Sequence, residues 1–469
     1  MKNSRLERFR KKYPQFVYKD YSFEISNNNL EIFFDFQIKP DIYFKPKIII
    51  ENIKKNQLKK IGERVLNNLV FHLGLIEVLS YWKATCSPEI LVEAGYLDQK
   101  QIRWWKNLII EGMGEYFWRN KINFLEPDFL KIRVKNNIQD PIFEKNLKEE
   151  ILVPIGGGKD SVVTWEILKR AGKKINCFSL NPTKSAEKIM DIGQCSERIF
   201  VKRKIDSKLL KLNRNGFLKG HTPFSAYLAF LSLLLAAIFN KKYIAFSNER
   251  SSNEGNLDYL GKIINHQYSK SFNFEKNFRI YSKKYLVKNI EYFSFLRPLY
   301  EIQIAKLFVN FSEYFSAFLS CNEAHKTYSG TKKPSKKWCN KCPKCLFVFA
   351  ILYPFLKEEE VFKIFGENLF ENKKLLPIME QLIGERGSKP FECVGTQKES
   401  LIAFYLSWKK TKDKKLPFLL RYFQDKILIK YSKLEKESEK IFKNWNKKNN
   451  LPKELEKILK NYLFFGQNI

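Results

Sequence analysis

Residues Ile151-Leu152-Val153-Pro154-Ile155-Gly156-Gly157-Gly158-Lys159-Asp160-Ser161 decide the fold. An apolar run leads into three consecutive glycines and then into a helix-like stretch, the order expected where a strand hands over to a helix. Glycines in series let the backbone turn its N–H groups inward without Cβ clashes. The helix expected to begin near Ser161 adds the positive end of its dipole, and Lys159 adds a point charge. Together these features specify a phosphate-binding turn. It is not a Walker A loop, which places four residues between its first glycine and Gly-Lys-Ser/Thr, and it lacks the GxGxxG spacing of dinucleotide sites.

Downstream of this turn, strand and helix patterns alternate, which predicts a parallel α/β sheet covered on both faces. Expected strands are 151–154, 175–180, 198–201 and 243–246, with helices over 162–171, 184–192 and 223–239. Ligands in such sheets gather at the carboxyl ends of the strands. Those ends carry Gly156-Gly157-Gly158, Asn181-Pro182-Thr183, Arg203 and Ser247-Asn248-Glu249-Arg250. Four polar clusters far apart in sequence therefore converge on one edge.

Upstream, alternating runs in residues 16–50 separated at Ser26-Asn27-Asn28-Asn29 predict a small antiparallel sheet. Helical spacing follows from Ile61 to about Ser80. Ser87-Pro88 reads as the start of another short helix, and a third covers Asp98 to Gly112. Beyond Cys345 the pattern is helical. We expect three regions: 1–145, an antiparallel sheet plus helices; 146–350, the nucleotide domain ending in a cysteine cluster; and 351–469, a helical carboxyl-terminal region.

The chain has 469 residues, 44% of them hydrophobic, so it holds sizeable cores and is not disordered. Its formal charge of +34 suits a polyanionic ligand. The lysines are spread over the whole length and no nucleic-acid-binding motif is legible, which favours a small polyanion over DNA or RNA. The first residues lack the apolar core of a signal peptide, and the apolar stretch Tyr227 to Phe239 is too short to span a bilayer. A cytoplasmic protein without a membrane partner is expected, and eight cysteines then suggest no disulfide framework.

Several side chains offer chemistry. Asp160 suits a divalent cation and Ser161 a phosphate oxygen. Glu249, Arg250, Asn253 and Glu254 crowd behind one strand, with Arg250 between carboxylates as a binder of an anionic substrate and Glu249 as a base. Arg203 and Arg297 are further candidates for substrate anions. His266 and His221, in polar settings, are candidates for proton transfer, as are the isolated thiols Cys393 and Cys86. Cys339-x-x-Cys342-x-x-Cys345, with Cys321 upstream, offers four thiolates to a structural zinc, and the same spacing suits an iron–sulfur cluster.

The glycine turn resembles the SGGxDS signature of the ATP pyrophosphatases, or PP-loop enzymes, with Gly156 where the leading Ser stands. That resemblance implies an adenine nucleotide alpha hydrolase-like fold binding ATP and Mg²⁺ through Gly156, Gly157, Gly158, Lys159, Asp160 and Ser161. A closer resemblance lies in Phe71 to Glu77, Ser80 to Ile90, Pro154 to Ser161, Ser247 to Asn256, His266 to Ser271, Trp338 to Cys345 and Lys389 to Thr396. These blocks are similar to the UDP-N-acetylmuramoyl-L-alanyl-L-glutamate epimerases, often called MurL, over about residues 12 to 400. The likeness implies ATP-dependent inversion of the terminal glutamate of UDP-MurNAc-L-Ala-L-Glu, with release of AMP and pyrophosphate, in peptidoglycan synthesis. The upstream L-glutamate-adding ligase is then a possible partner. Two alternatives stay open: a zinc-containing PP-loop enzyme adenylating a nucleoside or tRNA base for nitrile formation or thiolation, and a basic nucleic-acid-binding protein.

Overall fold

The computed structural model describes residues 4–325 and 337–466. Its strands are β1 Gln15–Ser26, β2 Asn29–Ile38, β3 Ile42–Phe44, β4 Lys47–Ile50, β5 Glu89–Val92, β6 Lys131–Val134, β7 Lys148–Pro154, β8 Ile175–Leu180, β9 Arg198–Lys204, β10 Lys241–Phe246, β11 Leu257–Tyr259, β12 Lys262–Ile264 and β13 Glu291–Ser294. Eleven form one mixed sheet in the order β13-β10-β7-β8-β9-β4-β2-β1-β5-β6, with β3 beside β2. Strands β13, β10, β7, β8 and β9 run parallel, and β4 joins β9 antiparallel. The antiparallel amino-terminal strands and the parallel strands thus share a continuous hydrogen-bonded sheet, while the region beyond Pro343 is largely helical.

Local chemistry explains most elements. Asn27 and Asn28 both take positive φ, 49° and 57°, the requirement of a two-residue hairpin turn matching strand twist. Residues before Ser26 form one long strand, with a register shift between Tyr18 and Asp20. The segment after Ser87-Pro88 is not a helix but β5, whose Glu-Ile-Leu-Val sequence pairs parallel with β1. Alternation between buried and half-buried positions along β2 marks a sheet with one face in the core.

The helix Glu63–Trp82 is buried nearly all round, because it lies between the sheet and the apolar helix Phe224–Ile238. Its approach to β1 needs a glycine: a Cβ on Gly74 would stand 1.9 Å from Tyr18 Oη. This helix is long and apolar enough to cross a membrane, yet 89% of the relevant window is buried inside the fold, as for a core helix. Cys177 of β8 and Cys195 are joined as a disulfide, a pairing that the cysteine count did not suggest.

Candidate active site

Strand β7 ends at Pro154 and the next helix, Lys159–Arg170, starts three residues earlier than the sequence pattern indicated. Gly157 adopts φ 98°, and a Cβ there would lie 3.0 Å from Ser185 Oγ, so both conformation and space demand glycine. The turn is anchored from outside: Ser185 Oγ donates to the Gly157 carbonyl at 2.9 Å, and Leu319 N donates to the same oxygen at 2.8 Å. A Cβ on Gly156 would meet nothing within 4 Å, which leaves that side of the turn open. Ser161 Oγ donates to Gly158 O at 2.9 Å. Beside the turn, at the carboxyl end of β8, a cavity of about 1250 Å³ is lined by Asn181, Thr183, Ser185, Phe318 and Trp338 among others.

Lys159 is 1% exposed, and its ammonium is held by Asp160 and Glu301. Glu301, at the start of the helix Glu301–Phe308, also pairs with Lys344 at 3.6 Å. Burial opposes ionisation of Glu301, but Lys159 and Lys344 overcome it and hold the carboxyl down at about 2. Glu249, three residues after the end of β10, is pushed up to about 7, by burial first, with Glu301 and Asp160 adding to the rise and Lys270 pulling the other way. Oxygens of Asp160, Glu249 and Glu301 lie within 4.8 Å of one another.

Lys270 feels the charge of Glu249 and Asp160 and is bonded to a thiol. Its Nζ donates to Cys393 Sγ at 3.3 Å, and His266 neighbours the thiol and acts on it. On its other side His266 Nδ1 meets Glu115 Oε2 at 2.5 Å. A carboxylate, an imidazole, a thiol and an ammonium thus stand in series. Burial alone would raise the Cys393 thiol, but Lys270 and His266 bring it down to about 5. Burial alone would lower His266, but hydrogen bonds to Cys393 and Glu115 bring it up to about 9. The pair therefore rests as thiolate and imidazolium near neutrality. His221 lies beside His266 with ring centroids 4.4 Å apart and the rings tilted by 47°; burial, then the charge of His266, lowers it to about 3, so it is neutral.

The loops carrying these groups are stitched together. Asn256 accepts from His266 N at 2.8 Å and donates to Pro390 O at 2.8 Å, while Gln267 Nε2 donates to Val394 O at 3.3 Å. Arg297, fully buried, donates to the carbonyl of Glu249 at 2.6 Å and to that of Lys270, and pairs with Glu275 at 3.1 Å. One guanidinium thus fixes the backbone of two residues at the centre of the cluster.

Other candidates from the sequence lie elsewhere or are already engaged. Arg203 bonds Glu77 through two nitrogens at 2.8 Å each and lies over the Tyr227 ring. Arg250 stacks on Tyr300 and bonds Asn444; Asn253 caps its own turn by donating to Arg250 O. Glu254 pairs with Lys389 at 3.1 Å and accepts from Gln397 N. Cys86 is buried beside Tyr116 and raised by burial to about 12, so it is a neutral thiol. Glu115, Lys270, Glu275, Glu301 and Lys344 are the central charged residues that sequence reasoning did not single out.

Cys321, Cys339, Cys342 and Cys345 also converge. Their sulfurs stand 3.9 Å (Cys321–Cys342), 3.7 Å (Cys339–Cys345) and 3.5 Å (Cys342–Cys345) apart. A tetrahedron with bonds of about 2.3 Å to zinc has edges of about 3.8 Å, so this buried cluster is compatible with a structural zinc. Lys344 sits inside the knuckle, which couples the cluster to Glu301.

An α/β sheet with an open glycine turn and a thiolate–imidazolium pair near one edge defines a protein with an enzyme-like site. The chain belongs to the MurL family: residues 7–295 match the MurL N-terminal domain and residues 317–437 the MurL C-terminal domain. The second match carries the likeness past residue 400, where the sequence blocks had ended. Among similar proteins, one from Salinispora tropica is 32% identical over 412 residues, covering 87% of this chain and 86% of that protein. One from Micromonospora sp. is 34% identical over 71% of this chain and 73% of its own length. One from Xanthomonas oryzae pv. oryzae is 30% identical over 75% and 77%. All three are named UDP-N-acetyl-alpha-D-muramoyl-L-alanyl-L-glutamate epimerase.

Proposed function

We propose that this chain is an epimerase inverting the terminal L-glutamate of UDP-MurNAc-L-Ala-L-Glu to D-glutamate in peptidoglycan precursor synthesis, through an acyl-adenylate, with ATP converted to AMP and pyrophosphate. Membership of a family whose relatives bear that name supports the substrate. The observation that carries the chemistry is Lys270, which is bonded to Cys393 and lies within the charge field of the carboxylates beside the glycine turn. Removing the α-proton next to a free carboxylate would place a second negative charge beside the first. Adenylation removes the first charge, and an acid–base group can then act on a neutral acyl centre.

In this reading Gly156, Gly157, Gly158, Lys159, Asp160 and Ser161 hold the triphosphate, and the adjacent cavity takes the adenosine. Proton transfer falls to His266, Cys393, His221 or Glu249, which stand in or near the cluster. The oxygen-only set of Asp160, Glu249 and Glu301 fits the ligand preference of Mg²⁺, which when bound would neutralise phosphate charge. Incubation with ATP, Mg²⁺ and UDP-MurNAc-L-Ala-L-Glu is expected to yield AMP, pyrophosphate and D-glutamate on chiral analysis. ADP with phosphate, or a product of changed mass, would refute the reading. Asp160→Ala should abolish AMP formation and leave the thermal transition near that of the parent, because Asp160 is partly exposed and packs no core.

The four cysteines are proposed to hold one zinc. Elemental analysis of fresh protein should give one zinc per chain, and Cys342→Ser should lower the melting temperature more than it changes substrate affinity. Protein containing neither zinc nor iron would rule the assignment out.

A further inference from the structure

The Cys393–His266 contact decides between two uses of the thiol. Two groups that protonate opposite faces of one carbon must leave that carbon between them, whereas Cys393 and His266 are neighbours that act directly on each other, with Lys270 Nζ 3.3 Å from the sulfur. A thiol on an imidazole whose Nδ1 is fixed by a carboxylate is instead the arrangement of an activated nucleophile. Lys270 stands against the sulfur, and its charge also acts on Asp160 of the glycine turn, so the thiolate belongs to the region where an activated acyl group would form. Cys393 is only partly buried, so an acyl carbon can reach it.

We propose, on the adenylation reading above, that Cys393 is acylated by the adenylate and that inversion takes place on a glutamyl thioester. Cys393 Sγ attacks the α-carbonyl carbon; the C–S bond forms, the bond from that carbon to the AMP phosphate oxygen breaks, and AMP leaves with the electron pair. With the thiolate consumed, His266 loses the charge that held its proton and passes it to the departing phosphate. Neutral His266, kept in orientation by Glu115, is then free to take the α-proton, which is more acidic next to a thioester than next to a carboxylate. Once the enolate has turned its opposite face to the imidazole, His266 returns the proton to the α-carbon and is neutral again; water then attacks the thioester with His266 taking its proton, the C–S bond breaks, and the thiolate and imidazolium return. No oxidant or reductant is needed. Lys270 and Glu115 act as positioning residues, one for the thiolate and the other for the imidazole.

The test is rapid acid quenching of the full chain turning over ATP, Mg²⁺ and UDP-MurNAc-L-Ala-L-Glu, followed by peptide mapping, with ATP–pyrophosphate exchange measured in parallel. The Cys393 peptide should carry the substrate mass less one water, and neutral hydroxylamine should remove it. Cys393→Ser should retain exchange and accumulate a more stable oxygen ester on the same peptide. Cys393→Ala should retain exchange and show neither adduct nor solvent deuterium at the glutamate α-carbon. Exchange and epimerisation in the parent protein with no adduct there or in Cys393→Ser would overturn the thioester and leave adenylation standing. Epimerisation by Cys393→Ala would do the same. Absence of exchange in the parent protein would remove the adenylate and the thioester together.

Discussion

Replacing Arg297 by methionine is expected to destabilise the protein by about 3–5 kcal/mol, because removing one partner of a buried ion pair strands the other. Glu275 is 1% exposed and would be left with Asn450, whose Nδ2 donates to it at 2.8 Å. The same substitution releases the carbonyls of Glu249 and Lys270 and the hydroxyls of Ser252 and Ser294, all bonded to the guanidinium. Lysine cannot replace it, having a single nitrogen for donors that must diverge in a plane. Denaturant titration measures the loss. The double variant Arg297→Met/Glu275→Gln should recover part of it, since no uncompensated carboxylate remains. A loss below about 1 kcal/mol, the range of exposed pairs, would show that water reaches the site and that Arg297 is not its keystone.

The parts of this architecture legible in the sequence are those set by local backbone chemistry. Three glycines after an apolar run placed the turn, because Gly157 needs both a positive φ and the missing Cβ. Asn27-Asn28 placed the hairpin for the same kind of reason. Strand β5 escaped because its four residues are stabilised by pairing with β1, which lies some seventy positions upstream, and Ser-Pro is an ordinary helix start when read alone. The helix after the turn begins at Lys159 because the Lys159 ammonium is bonded by Asp160 and Glu301 instead of remaining in a loop.

Among the site residues, His266, Cys393, His221 and Glu249 stood out by type and setting. Their partners did not, because Glu115 meets His266 across 151 positions and Lys270 meets Cys393 across 123. A lysine in a chain with 84 basic residues carries no signal of its own. What distinguishes Lys270 is its place against a sulfur, which only the tertiary fold supplies. Arg203 shows the converse. It sits at a strand end, where substrate anions collect in such sheets, yet Glu77 on a core helix engages it.

Lys270→Met is expected to move the acid limb of kcat/KM to higher pH and to lower activity near neutrality by about 10²–10⁴-fold, the range lost with one acid–base contribution. The charged groups acting on Cys393 are Lys270, His266 and Lys344. In the parent protein they hold the thiol at about 5, so the thiolate persists above that pH and is lost below it. The imidazolium of His266, held at about 9, is lost above that value. The profile should therefore be bell-shaped between these limits, with both limbs belonging to the coupled pair and not to either residue alone. Without Lys270 the burial that opposes a bare thiolate prevails, the sulfur stays protonated into the neutral range, and the rate recovers only as pH rises. Lys270→Arg keeps the charge and should keep the acid limb near its original position even where geometry lowers the maximum. Initial rates of α-deuterium incorporation across the pH range separate the cases. A rate lowered equally at every pH would mean that Lys270 supports the fold of the loop and leaves the thiol untouched, and the thiolate would then have to be held by His266 and Lys344.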